Sequence, residues 1–187
     1  SANSRVVALD ADVKNSTFSE KFEAAHPARF YQCFIAEQAM VGAAMGLAAR
    51  GAIPYPSTFA AFFTRAADLV GMMAIRELKV KLVGSHAGAS IGEDGPSQMA
   101  LEDLSMMSAQ PNIVVLYPSD AVAAEHLVVN AAAHAGPVYI RASRPKLPVI
   151  YDNNETFPIG GLKVLRQSAD DKATLITLTS VWNRQLA

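Results

Sequence analysis

Short apolar runs alternate with stretches of helical periodicity along most of this chain, and that alternation limits the fold more than any other feature. The runs at residues 5–8, 29–35, 53–57, 79–83, 112–117 and 137–142 read as strands. Residues 37–50, 59–75, 100–109 and 121–135 carry apolar positions at helical spacing, and a shorter helix follows Thr17. Strands connected through helices run parallel, so the expected fold is α/β, a mostly parallel central sheet with helices on both faces. Ligands of such sheets lie beyond the carboxyl ends of the strands, which directs attention to whatever follows each run.

Local signals refine this outline. Thr17 with Glu20 three residues later predicts a capping box, and Phe18, Phe22 and Ala25 supply the apolar face of its helix. Gly51 suits the end of helix 37–50, and Asp120 the N-cap of helix 121–135. Pro54 and Pro56 place run 53–57 at a sheet edge, or limit it to few bonds. From Ser143 onward Pro145, Pro148, Asp152, Asn153, Asn154 and Pro158 are linker chemistry. Beyond them, residues 160–166 read as a short strand or hairpin arm and 173–178 as another strand. The expected division is one α/β domain over residues 1–151, then a linker and the start of a truncated C-terminal domain over 152–187.

The formal net charge of −1 gives no basic field to attract nucleic acid or an acidic membrane. The longest apolar run, residues 39–49, stops at Arg50, short of the ~18 residues that cross a bilayer. Cys33 has no second cysteine to pair with and reads as a small buried hydrophobe, so a reducing cytoplasm is the expected compartment. The start Ser-Ala-Asn reads as a processed or trimmed end.

Two stretches carry chemistry. GSHAGASIGEDGPSQ, residues 84–98, joins a strand to a helix, and its glycines let backbone approach a ligand closely. Its Gly84, Gly88, Gly92 and Gly95 lack GxGxxG spacing, which disfavours a dinucleotide loop. FIAEQ, residues 34–38, sets a lone carboxylate at the mouth of an Ala-rich helix.

With LDADVKNSTFSEKF (9–22), FIAEQAMVGAAMGLAARG (34–51), STFAAFFTRA (57–66), GSHAGASIGEDGPSQMALEDL (84–104), LYPSDAV (116–122) and IRASRP (140–145), the chain resembles transketolases over roughly residues 5–151. The resemblance is to their middle, pyrimidine-binding domain, which has the thiamine diphosphate-binding fold. It implies transfer of a two-carbon ketol unit between sugar phosphates in the pentose phosphate pathway, with thiamine diphosphate as cofactor. A complete transketolase also has a diphosphate-binding N-terminal domain, where ligands for Mg or Ca are expected, and a C-terminal domain. The chain therefore looks like half of an active site, inactive alone and completed by a partner domain in a homodimer. A small subunit of a split thiamine enzyme, of the deoxyxylulose-phosphate synthase or dehydrogenase E1β kind, and a noncatalytic interaction module are the alternatives.

Residue by residue, the resemblance implies that Glu37 hydrogen-bonds the aminopyrimidine, a task for a carboxyl kept partly out of water. A Glu in a first helical turn also suits the helix dipole without any chemistry. Phe59 and Phe62, three apart on a helix start, would sandwich the ring, with Arg65 at its edge; plain core packing is the competing explanation, and it is the one assigned to Phe63. Asp12 resembles an acid near the pyrimidine, or caps its own turn. His86 and Asp94 resemble sugar-binding residues, His86 also passing protons, whereas turn chemistry alone explains Asp94 as well. Gln98 falls where some members have another histidine. Ser16 and Arg144 resemble residues that bind the sugar phosphate, while Arg141 reads as structural or interfacial. Gly42 to Gly46 lies on the helix that the family places near its dimer interface. His26, His126 and His134 lack metal-ligand spacing.

Overall fold

The computed structural model describes residues 3–174 and residue 176. Its elements in chain order are β1 (Val6–Asp10), α1 (Lys14–Thr17), α2 (Glu20–Ala25), β2 (Phe30–Gln32), α3 (Glu37–Ala49), β3 (Ile53–Phe59), α4 (Ala67–Ile75), β4 (Lys81–Ser85), α5 (Asp103–Ser108), β5 (Val114–Leu116), α6 (Ala121–Ala133) and β6 (Val138–Arg141). Short 3-10 turns cover Pro27–Arg29, Ala60–Ala66, Ala89–Asp94 and Pro96–Gln98. The strands form one sheet in the order β2-β1-β3-β4-β6-β5, and every pairing is parallel. The chain leaves β1 toward one edge and returns to β3 on the other side, so the strand order reverses between β1 and β3. Crevices outside strand carboxyl ends form at such reversals.

Both faces of the sheet are covered, as parallel pairing requires. Alternation along β6 shows it residue by residue. Tyr139 packs into the larger core with Leu9, Leu82, Met40, Phe63, Val70 and Met107, while Val138 and Ile140 join Leu116 and Ala131 on the α6 side. Each large apolar side chain sealed there contributes about 1.5–3 kcal/mol.

The expected position of β3 is corrected. It is a central strand, paired with both β1 and β4. Ile53 donates its N–H to Arg5 O at 2.8 Å, so residues 53, 55 and 57 face β1 and the prolines face β4. Pairing to β4 begins only at Ser57, beyond both prolines, so their missing N–H groups remove no ladder bond.

The expected helix 59–75 is divided. Phe59 still pairs with Ser85 in the sheet, a 3-10 turn follows, and α4 starts at Ala67. Ala60, Phe63 and Ala66 are all fully buried, and their spacing of three is the 3-10 period, in which positions i and i+3 eclipse. The capping box does not form either. Thr17 ends α1 and its hydroxyl donates to Asp10 Oδ2 at 2.7 Å, while Ser19 precedes α2 and donates to the same oxygen at 2.8 Å. Ala100, expected to open a helix, has φ +48°, and α5 starts three residues later. Asp120 caps α6 as expected, accepting from Ala123 N–H at 2.8 Å. Residues 160–166 form no strand; of the expected strand 173–178, residues 175, 177 and 178 lie outside the described residues.

Candidate functional site

The exits of β2, β3, β4 and β6 gather most of the expected site residues along one edge of the sheet. After β2 the chain turns through Phe34, whose φ is +51°, and delivers Glu37 as the first residue of α3. Its side chain is 4% exposed, and Arg65 Nη1 lies 3.1 Å from Oε1 and 3.3 Å from Oε2. Arg65 is itself 57% exposed, so the buried carboxylate has a counter-ion with one side open to solvent. Such a partner matters because a buried carboxylate without one is strongly destabilising. Gln38 Nε2 donates to Arg65 O at 2.8 Å, tying the first turn of α3 to the turn after β3.

Phe59 ends β3 and Phe62 lies on the 3-10 turn; their rings stack at 5.3 Å with planes 14° apart. A flat ring held between them would need two stacking distances, about 7 Å or more. The two phenylalanines therefore touch each other and leave no slot for a sandwiched ring, because the tight turn brings Phe62 back over the strand end. Ser85 pairs beside Phe59, and His86, at φ +60°, turns its ring onto Phe59 at 4.2 Å and 10°. Arg65 Cζ lies 5.4 Å over Phe62. The result is one row, Glu37, Arg65, Phe62, Phe59, His86. Phe63 is core, edge-on to Tyr139.

His86 Nδ1 is 3.1 Å from Ser85 Oγ. Burial and the nearby Arg144 charge hold the imidazole below its ordinary range, and Asp94 pulls it the other way. Arg144 Nη1 donates to Ile91 O at 3.0 Å and lies 3.4 Å from Asp94 Oδ1; Nη2 donates to Glu93 Oε1 at 2.9 Å. Arg144 and Asp94 are thus brought together with His86. Gln98 ends the Pro96–Gln98 turn on the same loop.

Asp12 and Ser16 are not drawn into the row by hydrogen bonds among the described residues. Asp12 is exposed at φ +66°, and its N–H donates to Gln32 Oε1 at 3.3 Å. The capping role open to Asp12 belongs to the buried Asp10, which accepts from Val13 N–H at 2.7 Å and from the Thr17 and Ser19 hydroxyls. Ser16 is half-buried in α1.

Residues 1–149 match the family described as the pyrimidine-binding domain of transketolase. This chain belongs to the transketolase family. It is 58% identical over 176 residues to transketolase-like protein 2 of Mus musculus and 56% identical to the transketolase of Homo sapiens. In both cases the alignment covers 94% of this chain but 28% of the relative, so the chain spans little more than a quarter of their length. A split-gene transketolase, described as an inactive β4 tetramer, matches with TM-score 0.80 at 38% identity, over 90% of this chain and 55% of that one. A Pichia stipitis transketolase in complex with sedoheptulose 7-phosphate matches with TM-score 0.71 at 28% identity, over 78% of this chain and 24% of that one.

Sequence reasoning missed the buried network beneath this transketolase-family loop. Asp103, on the first turn of α5, accepts from Tyr139 Oη at 2.6 Å and from Arg141 Nε at 2.8 Å. Arg141 also lies over Tyr117, 4.5 Å from the ring centroid, and faces the backbone at Gly88. Gly88 N–H donates to Met99 O, which ties the two ends of the loop to each other, and Ala87 N–H donates to Ala142 O, which ties its first end to the residue after β6. The available signal was Tyr139 and Arg141 two apart on one strand, polar groups sharing a buried face. Of the two roles open to Arg141, the structural one accounts for its burial in this ion pair. Among the described residues no group of three or more His, Cys, Asp or Glu is placed to hold a metal.

Proposed function

We propose that this chain is the pyrimidine-binding half of a thiamine diphosphate-dependent transketolase active site, acting in ketol transfer between sugar phosphates. The supporting observation is the buried Glu37 at the carboxyl edge of a parallel sheet, next to Arg65 and the Phe62, Phe59 and His86 row. These groups suit an aminopyrimidine: a dry carboxyl can exchange a proton with a ring nitrogen, and the aromatic row gives an apolar surface beside it. Bound thiamine diphosphate supplies the carbon centre that carries the two-carbon unit. Glu37 then binds the pyrimidine and shifts its proton, Arg65 sets the carboxyl's orientation, and Phe59 and Phe62 shield that contact from water. Asp12 would lie near the pyrimidine. His86 and Asp94 bind the sugar, with His86 able to accept a proton because it is held neutral near pH 7. Ser16 and Arg144 take the sugar phosphate.

The diphosphate and its Mg or Ca ion are assigned to a domain outside this chain, which makes the chain inactive alone. The site lies along a rim where Phe34, Ile35 and Arg65 stand exposed. Homodimerisation would cover the outer face of α3, where a Cβ added to Gly42 or Gly46 meets nothing within 4 Å and Phe34 and Ile35 stand exposed just ahead. The domain would end near residue 151, with the following segment lying back on α6 through Phe157, whose carbonyl accepts from Asn130 Nδ2 at 2.8 Å. Cytoplasmic work in the pentose phosphate pathway completes this reading. A natural small subunit is the second reading, favoured by the likeness to the split-gene chain.

The test is to mix the chain with a transketolase diphosphate-binding domain, thiamine diphosphate and Mg²⁺, and to follow ketol transfer between sugar phosphates. Activity in the mixture and none in either part is expected. Turnover by the chain alone refutes the division of labour.

A further inference from the structure

Glu93 belongs to none of the roles above, yet it makes the shortest contact with Arg144. Its Oε1 accepts from Nη2 at 2.9 Å, while Nη1 is held by Ile91 O and approached by Asp94. The Glu93 side chain is 81% exposed. It stands on a short arm between Gly92, at φ +78° and ψ −119°, and Gly95, at φ +79°, backbone that glycine adopts without strain and other residues rarely do. An ion pair this open to water is weak and easily exchanged. A phosphate offers the guanidinium fork the same kind of oxygen edge with nearly twice the charge.

We propose that Glu93 is an internal counter-ion for Arg144, which it must release before a phosphate group can bind there. This rests on Arg144 being the phosphate-binding residue, as proposed above. The Ile91 carbonyl keeps Nη1 fixed, so exchange at Nη2 replaces one anion by another without reorienting the guanidinium. The exposed Glu93 side chain rotates out into solvent while the backbone between the two glycines stays, so Asp94 beside it remains available for a sugar hydroxyl. Because the pair re-forms when the anion leaves, Glu93 lowers phosphate affinity and favours release.

The experiment is a titration of the full chain with inorganic phosphate at low ionic strength, followed by NMR on the Arg144 side chain and the His86 ring. Arg144→Met is expected to weaken binding at least tenfold. Glu93→Gln is expected to tighten it about two- to fivefold. Glu93→Asp, which keeps the charge but loses the reach to Nη2, is expected to tighten it similarly. No effect of Arg144→Met, or no binding by the parent chain, overturns the phosphate role of Arg144 and this proposal with it. A weakened Arg144→Met beside an unchanged or weakened Glu93→Gln overturns the counter-ion role alone. So does a Glu93→Asp variant that behaves like the parent, since a distant charge effect would then explain the result. Glu93 is exposed enough that its variants do not threaten folding.

Discussion

Gly84→Ala is expected to unfasten the His86 loop through a side chain on the neighbouring strand. A Cβ at position 84 would lie 2.4 Å from Tyr139 Oη, 2.7 Å from Cε2 and 2.9 Å from Cζ, against the 3.5–4.0 Å of ordinary carbon contacts. The Tyr139 ring is fully buried and fixed edge-on to Phe63, so it yields only by repacking, a change of about 1–3 kcal/mol. Moving it also breaks the 2.6 Å bond to Asp103, a buried charged acceptor, for a further ~1.5–3 kcal/mol. The total of about 2.5–6 kcal/mol is a large part of a typical domain's stability. Urea unfolding of Gly84→Ala, Tyr139→Phe and the double variant separates the two contributions. Tyr139→Phe removes both the nearest atom and the bond, so the double variant should fall short of the sum of the singles by about 1.5–3 kcal/mol. Additivity within about 0.5 kcal/mol, or a loss below about 1 kcal/mol for Gly84→Ala, refutes the reasoning.

Two further predictions concern titrating groups. Lys81 is fully buried at the start of β4, and its Nζ donates to two backbone carbonyls, His134 O at 2.9 Å and Gly136 O at 2.6 Å. Burial, with Lys79 adding to it, pushes its pKa down to about 7, where the neutral amine still has two N–H groups for two acceptors. Folding therefore disfavours the protonated form below pH ~7, and that penalty lifts as pH rises toward the unfolded value near 10.5. The parent should gain stability relative to Lys81→Met between pH 7 and 9, at no more than about 1.4 kcal/mol per pH unit, in urea unfolding at each pH; a flat difference contradicts the assignment. For His86, NMR titration should show the ring pKa rising in Arg144→Met and falling in Asp94→Asn, since Arg144 lowers it and Asp94 raises it.

The sheet and its carboxyl edge were legible because strand and helix periodicities differ, and because Glu37, Phe59, His86 and Arg144 each follow an apolar run directly. What was not legible depends on geometry between distant residues. Pro54 and Pro56 read as edge signals, yet the side of the strand they face, not their number, decides whether a bond is lost. Ala60, Phe63 and Ala66 fit both a 3.6 and a 3.0 period over so short a span, so the tight turn that stacks Phe62 on Phe59 was hidden. Thr17 matched a capping box, but a buried Asp10 seven residues away competed successfully for its hydroxyl. Glu37 as a buried acid was foreseen; its Arg65 partner is a contact across 28 residues that local pattern does not encode.

The most direct test of the account is exchange of the C2 proton of thiamine diphosphate in the chain assembled with its diphosphate-binding partner, compared between Glu37 and Glu37→Gln. Gln keeps the size and the hydrogen bond from Arg65 but gives up the exchangeable acid. A fall in exchange rate of about 10²-fold or more, with cofactor still bound, is predicted. An exchange rate equal to the parent's would contradict the claim that Glu37 works on the cofactor at all.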